Sequence, residues 1–273
     1  MPVGFITFMA PVALITDFGT TDWYAGALKG SVLTVDATIP VIDITHDIPA
    51  GDIRTAAFTL ANVLPTFPER TVFCTVVDPG VRTGRRALAA SVKRYFLVGP
   101  DNGLFSYVVR THPDAIVRNI ENTELLGILS GDAETVLQRH DLFGLAAGFL
   151  ASRGTFSALG AEITDAHTIP FPQTTIANGI IATSVIMTDR FGNIITAAEN
   201  AIIKDAAGKR AMITIGETEP VTADIAKTYP DVGPEKILVY PGSGGYMEIA
   251  LNGSSARDRF AVAAGTGITI SVR

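Results

Sequence analysis

Apolar runs alternate with segments of helical periodicity through the first part of the chain. We predict strands at residues 11–16, 39–44, 70–77, 87–92, 95–98 and 116–120, and helices at residues 22–35, 53–64 and 132–152. Thr20, Thr21 and Asp22 are the expected capping residues of the first helix. Nearly continuous apolar strands with helices between them are typical of a parallel sheet covered on both faces. The pattern therefore predicts an α/β domain with a mostly parallel sheet flanked by helices.

The pattern changes at Ile169-Pro170-Phe171-Pro172-Gln173, where two prolines stand one residue apart, as is typical of a linker. Beyond it, strand-like runs punctuated by Gly, Asn and Asp cover residues 180–187, 211–215, 237–240, 246–251 and 267–272. Many short strands of this kind indicate a smaller, barrel-like β domain. We therefore predict an N-terminal α/β domain at residues 1–168, a linker at 169–175 and a C-terminal β domain at 176–273.

Composition narrows the classes of partner and the compartment. The chain has 273 residues and a formal net charge of −6, which argues against a surface for nucleic acid or for an anionic membrane. No apolar run is long enough to span a bilayer, and the apolar N-terminus, without a basic segment, is interpreted as leading into the first strand. The one cysteine, Cys74, is interpreted as a buried strand residue, and the lack of a disulfide framework predicts a cytoplasmic protein.

Polar clusters follow four of the predicted strands, at residues 16–22, 43–47, 77–86 and 99–103. Ligands of open parallel sheets bind at the carboxyl ends of strands, so four clusters in this order predict a site. Asp17 either bonds the following loop amides or accepts hydrogen bonds from a diol such as a ribose. Asp78 and Arg85 either form a structural ion pair or take part in the reaction. His46 and His140 are the candidates for acid–base work, and no two histidines have metal-ligand spacing.

Taken together and in order, these clusters resemble the S-adenosylmethionine hydroxide adenosyltransferase family, which also contains chlorinases and fluorinases. The matching segments cover nearly the whole chain: Ile15-Thr16-Asp17-Phe18-Gly19, Val41-Ile42-Asp43-Ile44-Thr45-His46, Val77-Asp78-Pro79-Gly80-Val81, Arg85-Arg86-Ala87, Gly99-Pro100-Asp101-Asn102-Gly103, Thr188-Asp189-Arg190-Phe191-Gly192-Asn193, and Pro241-Gly242-Ser243 with Tyr246, Glu248, Ile249 and Ala250. The Asp-Pro-Gly-Val and Pro-Asp-Asn-Gly motifs in combination are the specific part of this resemblance.

The resemblance implies a reaction and an assembly. A nucleophile attacks ribose C5′ of S-adenosylmethionine in line and methionine leaves, so that hydroxide gives adenosine and methionine. The resemblance implies no metal or redox cofactor. It also implies a homotrimer in which the N-terminal domain of one subunit meets the C-terminal domain of a neighbour at each site.

The resemblance also implies roles for individual residues. Asp17 matches the ribose-binding carboxylate, Asp22 a residue near the methionine part, and Asp189 and Ser243 the positions that hold the methionine amine and carboxylate. Phe191 and Asn193 match adenine-side contacts, and the backbone from Leu251 to Gly253 matches the segment at the adenine edge. The predicted substrate-binding residues, with two more from the matching motifs, are Asp17, Asp22, Asn102, Asp189, Phe191, Asn193, Ser243, Tyr246, Leu251 and Gly253.

Asp78 and Arg85 match two members of an Asp–Arg–His triad that activates water in the hydrolases of this family. The triad histidine falls on Gln138, which can donate and accept hydrogen bonds but takes no proton at neutral pH, so we expect slow but real hydrolysis. The alternative is that His140 restores the triad, although two residues on a helix differ by about 200° in direction. The predicted catalytic residues are therefore Asp78, Arg85, Gln138 and His140.

Two other functions stay open at this point. The first is a halogenase of the same family, which Asp78, in place of the halogenases' tyrosine, disfavours. The second is a protein that binds S-adenosylmethionine or adenosine with little turnover, because Gln138 replaces the histidine.

Overall fold

The computed structural model describes residues 9–79, 84–122 and 136–273, and the side chains of residues 136–141 are outside that description. The chain divides into two compact units, Met1–Ile169 and Pro170–Arg273. Among the helices described, none has the length and apolar character needed to cross a membrane.

The described residues of the first unit form one sheet of seven strands and four α-helices. The strands are β1 (Val12–Thr16), β2 (Val41–Thr45), β3 (Val72–Val76), β4 (Ala87–Val92), β5 (Tyr95–Pro100), β6 (Ile116–Asn119) and β7 (Glu162–Ile163). The helices are α1 (Tyr24–Val35), α2 (Ile53–Val63), α3 (Ser106–Thr111) and α4 (Val136–Ala151), with short 3-10 helices at Leu64–Thr66 and Phe156–Leu159.

The strand order of this sheet is β2-β1-β3-β5-β4-β6-β7. The strands β2, β1, β3 and β5 run parallel to one another, whereas β4, β6 and β7 extend the sheet in antiparallel pairs. The predicted α/β class is confirmed. The antiparallel extension starts with the hairpin of β4 and β5, whose connection is too short for the crossover that a parallel pair needs.

Helices cover both faces of the central strands, which explains why β1 and β3 are apolar apart from one threonine in each. Val12 and Leu14 point into a core shared with α1 and α4, whereas Ala13 and Ile15 point into a core shared with α2 and α3. Cys74 is fully buried in β3, as predicted, and burial raises the pKa of its thiol to about 12. A thiol in that environment is a packing group and a poor nucleophile.

The helices α1 and α4 pack closely because α4 carries glycine on the contact side. A Cβ atom at Gly144 would lie 2.6 Å from the Cβ atom of Ser31, and one at Gly148 would lie 2.9 Å from the carbonyl oxygen of Val32. Both distances are shorter than side-chain packing permits, so glycine at these two positions sets the spacing of the helix pair.

The predicted cap of α1 is wrong. The N-cap position is Trp23, which makes no capping hydrogen bond, so Thr20, Thr21 and Asp22 lie in the loop before the helix. The helix α2 has the usual arrangement, in which Asp52 accepts a hydrogen bond from the backbone amide of Thr55.

The second unit is a closed barrel of seven strands with one strand added at its side. Its strands are β8 (Thr175–Ala177), β9 (Ile180–Thr188), β10 (Ile194–Glu199), β11 (Arg210–Ile215), β12 (Val221–Ile225), β13 (Ile237–Pro241), β14 (Tyr246–Leu251) and β15 (Gly267–Val272). The pairing runs β10-β14-β13-β12-β11-β15-β9, and β9 pairs with β10 to close the barrel. A helix, α5 (Ala256–Phe260), and short 3-10 helices at Asn200–Ile203 and Tyr229–Asp231 complete the unit.

Three strands of this unit, β8, β10 and β12, are absent from the sequence prediction. The strand β10 has the sequence Ile-Ile-Thr-Ala-Ala-Glu, and β12 has Val-Thr-Ala-Asp-Ile. Alanine, aspartate and glutamate have weak preferences for strands. Isoleucine, valine and threonine in both segments favour strands, and pairing with neighbouring strands in the closed barrel outweighs the weak preference of the other residues.

Candidate active site

The polar clusters of the first unit meet at one edge of its sheet. The parallel strands β1, β2, β3 and β5 end at Thr16, Thr45, Val76 and Pro100. Because neighbouring parallel strands end at the same edge, the segments that follow them come together there. The structure thus brings Asp17, Asp78 and the Asp101-Asn102 pair to the carboxyl edge.

The loop after β1 is held against the loop after β2. Asp17 Oδ2 accepts a hydrogen bond of 2.8 Å from the backbone amide of Gly51, and the amide of Gly19 donates to the carbonyl oxygen of His46 at 2.8 Å. Gly19 and Gly51 have φ angles of +67° and +71°, a region that glycine enters without strain. One carboxylate oxygen of Asp17 therefore anchors the loop, and within the described residues Oδ1 has no hydrogen-bond partner.

His46 is buried beneath this loop in a chain of polar side chains. Its Nδ1 lies 2.7 Å from Thr16 Oγ1, its Nε2 lies 3.1 Å from Asp43 Oδ1, and Lys29 Nζ lies 2.6 Å from Asp43 Oδ2. Partial burial by itself raises the pKa of Asp43, but the hydrogen bonds and charges of Lys29 and His46 outweigh it and lower that pKa. In this structure His46 joins the ends of β1 and β2.

Asp78 and Arg85 form a charged pair at the same edge. Arg85 Nε lies 3.3 Å from Asp78 Oδ2, within ion-pair distance, although its N–H does not meet the geometry of a hydrogen bond. The Asp78 side chain is only 7% exposed, and Arg85 Nη1 also donates to the carbonyl oxygen of Asp101 at 3.3 Å. The negative charge of the nearly buried Asp78 is thus compensated by the Arg85 guanidinium, which the carbonyl of Asp101 holds in place.

Asp101 and Asn102 have their side chains committed to the scaffold. Asn102 is 2% exposed, and its amide donates to the carbonyl oxygen of Val77 at 2.8 Å. Arg86 Nε donates to Asp101 Oδ2 at 2.8 Å, and Asp101 Oδ1 accepts from the backbone amide of His167 at 2.7 Å. The structure therefore gives Asn102 a role in holding the main chain next to Asp78, and its predicted contact with substrate stays a prediction.

Asn102→Ala is expected to lower the free energy of unfolding by about 1–3 kcal/mol, because the buried carbonyl of Val77 loses its donor. Since Val77 precedes Asp78, kcat should fall as well. Chemical denaturation and steady-state kinetics measure the two effects. Asn122→Ala is the control, because Asn122 is exposed where it donates to the carbonyl of Ala158. Equal losses of stability in the two variants would contradict the assignment.

In the second unit, the predicted ligand residues Asp189, Phe191 and Asn193 form one tight turn after β9. Asp189 Oδ1 accepts hydrogen bonds from the backbone amides of Phe191 and Asn193, and Asp189 Oδ2 accepts from Asn193 Nδ2 at 2.7 Å. Phe191 is 78% exposed at the tip of this turn. A large aromatic ring held in solvent by a preorganised turn is suited to stack on a planar ligand group.

The remaining predicted ligand residues of the second unit lie around β14. Ser243 is exposed in the turn before this strand, Leu251 ends the strand, and Gly253 follows it. Tyr246 begins the strand, and its ring centroid lies 5.5 Å from that of Phe171. Gln138 and His140 fall within α4, but their side chains lie outside the described residues, so their predicted roles have no structural account here.

A partly buried polar cluster that the sequence analysis did not identify as functional lies next to the turn at residues 189–193. It consists of Tyr229, Tyr240 and Glu248, and Tyr229 reaches Asn193. Glu248 lies within an otherwise apolar strand, so an acidic residue at a buried strand position is the one signal that could have drawn attention to it.

These features define a class of protein before any comparison. An α/β unit with polar loops at the carboxyl edge of its parallel strands is joined to a closed β-barrel unit with a preorganised acidic and aromatic turn. The family model described as SAM hydroxide adenosyltransferase N-terminal domain matches residues 12–160, and the model of the C-terminal domain matches residues 183–269. The chain therefore belongs to the SAM hydroxide adenosyltransferase family.

Individual relatives agree with this assignment. An (R)-S-adenosyl-L-methionine hydrolase of Thermus thermophilus is 33% identical over 96% of this chain and 100% of its own, and one of Salinispora tropica is 31% identical over 96% and 99%. A crystal structure of an uncharacterized conserved protein from Thermotoga maritima matches with a TM-score of 0.88 at 28% identity, covering 95% of this chain and 99% of that one. A fluorinase of Actinoplanes sp. is more distant, at 22% identity over 95% of this chain and 97% of its own.

Proposed function

We propose that this protein hydrolyses S-adenosylmethionine to adenosine and L-methionine. The observation that carries the proposal is the nearly buried Asp78 carboxylate beside Arg85 at the carboxyl edge of the sheet. Hydrolase relatives at 31–33% identity over nearly the full chain support the same reaction.

The reaction makes a C5′–O bond and breaks the C5′–S bond. The oxygen of water attacks ribose C5′ from the side opposite the sulfur, and the sulfonium sulfur leaves with the bonding electron pair as the neutral thioether of methionine. Because the leaving group becomes neutral, it needs no acid at sulfur, and the main requirements are a positioned water and a held ribose. The water loses one proton, which Asp78 accepts while Arg85 compensates the charge of the site.

Substrate contacts follow from the positions of the remaining residues. The Asp17 oxygen that is not bonded to Gly51 accepts ribose hydroxyl hydrogen bonds, Asp189 and Ser243 bind the amine and carboxylate of the methionine part, and Phe191 stacks on adenine. Asp22, Asn193, Tyr246 and the Leu251–Gly253 backbone complete the substrate contacts. Gln138 orients the water in place of a histidine, which makes turnover slow.

The family resemblance supports the assembly that we propose, and the single cysteine supports the compartment. The protein forms a homotrimer in the cytoplasm, with its sites at subunit interfaces. Light scattering coupled to size-exclusion chromatography measures the mass of the assembly directly, and a monomeric mass with full activity would rule the trimer out.

Incubation of the purified protein with S-adenosylmethionine is expected to release adenosine and methionine in equal amounts. In water labelled with heavy oxygen, the label should appear in the 5′-hydroxyl of adenosine, because the new bond joins water oxygen to C5′. Mass spectrometry of the adenosine measures this directly.

The same incubation with added chloride or fluoride tests the halogenase alternative. The product should not change, because Asp78 is suited to activate water and the fluorinase relative is the more distant one. A 5′-halogenated adenosine as the main product would overturn the hydrolase assignment. Binding of S-adenosylmethionine without any product would instead identify a binding protein.

A further inference from the structure

Glu248 is a buried carboxylate on the outer face of the barrel. On β14 its neighbours Met247 and Ile249 point into the barrel core, so Glu248 points to the opposite side, and it is only 8% exposed. Its cross-strand partner on β13 is Tyr240, whose hydroxyl donates a hydrogen bond to Glu248 Oε2. On its other side, Glu248 Oε1 lies so close to the main chain of Gly242 that a Cβ atom there would collide with it.

Further side-chain contacts lead from this pair to the turn at residues 189–193. Tyr229, in the 3-10 helix Tyr229–Asp231, has its hydroxyl 3.3 Å from that of Tyr240 and donates to Asn193 Oδ1 at 2.5 Å. Asn193 is 6% exposed and donates through Nδ2 to Asp189 Oδ2 at 2.7 Å. Side-chain contacts thus lead from the buried Glu248 to Asp189, and the contact between the two tyrosine hydroxyl oxygens measures 3.3 Å.

The two available hydroxyl protons determine the direction of the hydrogen bonds among these side chains. Tyr240 gives its proton to Glu248 and Tyr229 gives its proton to Asn193, so both hydroxyl protons are in use and the contact between the two hydroxyl oxygens contains none. An ionised carboxylate such as Asp189 only accepts, so Asn193 must turn Nδ2 toward it and Oδ1 toward Tyr229. Tyr229 therefore holds the amide of Asn193 in the orientation that Asp189 requires.

The ionisation of the buried groups is consistent with these donor roles. Burial raises the pKa of Tyr240, and the adjacent Glu248 carboxylate raises it further, so its hydroxyl remains a donor. Burial also raises the pKa of Tyr229. Burial raises the pKa of Glu248 and the charge of Asp189 adds to this, whereas the hydrogen bond from Tyr240 opposes it.

We propose that Tyr229, whose ring packs against that of Tyr240, is a positioning residue for the substrate: it holds the turn at residues 189–193 in its binding conformation and sets affinity without taking part in bond making. The inference rests on the proposed function, which places the methionine part and adenine at this turn. Because the bond from Tyr229 lies outside the reacting atoms, its loss weakens binding and leaves the rate of the bound complex unchanged.

The test uses the full chain and two Tyr→Phe variants that each remove one partly buried hydroxyl. Tyr229→Phe is expected to raise KM and the calorimetric Kd for S-adenosylmethionine about 5- to 10-fold, with kcat within twofold, in line with the loss of one hydrogen bond. Tyr95→Phe is the matched control, because the Tyr95 hydroxyl donates to the carbonyl of Phe67 in the first unit. This control is expected to keep the wild-type KM and Kd.

A double-mutant cycle separates positioning from a general effect on folding. In an Asn193→Ala background, Tyr229→Phe should change Kd less than twofold, because its target amide is gone. Additive effects in this cycle, or a wild-type Kd and KM in Tyr229→Phe, would overturn the inference while leaving the proposed hydrolysis intact. If wild-type protein neither binds nor consumes S-adenosylmethionine, the proposed function fails, and this inference fails with it.

Discussion

Asp78→Asn is expected to lower kcat by a factor of about 10²–10⁴ with KM nearly unchanged, because a positioned acid–base group contributes this much to rate. The asparagine has almost the same shape and can still contact Arg85, but it cannot accept the proton that the attacking water loses. The variant removes the charge of a nearly buried side chain beside Arg85 but keeps its shape, so it also separates the effect of charge from that of packing. Single-turnover measurements of adenosine release report the chemical step.

Asp165→Asn is the control for this experiment. It also removes one carboxylate from an ion pair, here the pair with Arg86, which follows Arg85 in the sequence. Asp165 Oδ1 pairs with Arg86 at 2.9 Å, and the Asp165 side chain is 74% exposed. An exposed pair of this kind contributes little, so its kcat should stay close to that of the wild type. A normal kcat in Asp78→Asn, or an equal loss in both variants, would remove Asp78 from the mechanism.

Asp17→Asn is expected to raise Kd for S-adenosylmethionine by at least about tenfold, because each charge-assisted hydrogen bond to ribose contributes roughly 1.5–3 kcal/mol. Asparagine still offers one oxygen to the amide of Gly51, so the loop after β1 keeps its anchor. The other position becomes an NH₂ group, which cannot accept a hydrogen bond from a ribose hydroxyl. Isothermal titration calorimetry measures the change.

The control for Asp17 is Asp47→Asn, which removes an exposed carboxylate from the loop after β2 at the same edge of the sheet. Its Kd should match that of the wild type. Asp17→Ala removes the loop anchor as well and should lose both affinity and thermal stability. An unchanged Kd in a folded Asp17→Asn protein would exclude a ribose contact for this residue.

The first unit shows how far pattern alone predicts a fold. The nearly continuous apolar character of β1 and β3 predicts strands covered on both faces, and alternate residues do enter two different cores. The strands β10 and β12 escape prediction because alanine and acidic residues weaken the strand pattern of their isoleucine, valine and threonine, and pairing in the barrel completes it. Local sequence preference thus predicts strands well where both faces are buried, and poorly where pairing with neighbouring strands decides the conformation.

The candidate site also contains residues whose position follows from the sequence and residues whose contacts only the fold determines. Asp17 and Asp78 follow apolar strands in the sequence, so their place at the carboxyl edge follows from the rule for parallel sheets. The amide of Asn102 is different, because its partner, the carbonyl of Val77, lies 25 positions away and no local pattern marks the pair. The resemblance to the family indicates that Asn102 matters, but only the folded chain shows which group it holds.

The sequence by itself determined the two-part architecture, the family and the order of polar clusters along the chain, because these depend on local apolar periodicity and on short motifs. Only the tertiary structure decided what each buried polar side chain bonds. Tyr229 and Asn193 are 36 positions apart and meet because the pairing of β10, β14 and β13 brings their segments together. Burial of a polar group demands a partner with matching donors and acceptors, and that partner is chosen by the packing of distant segments.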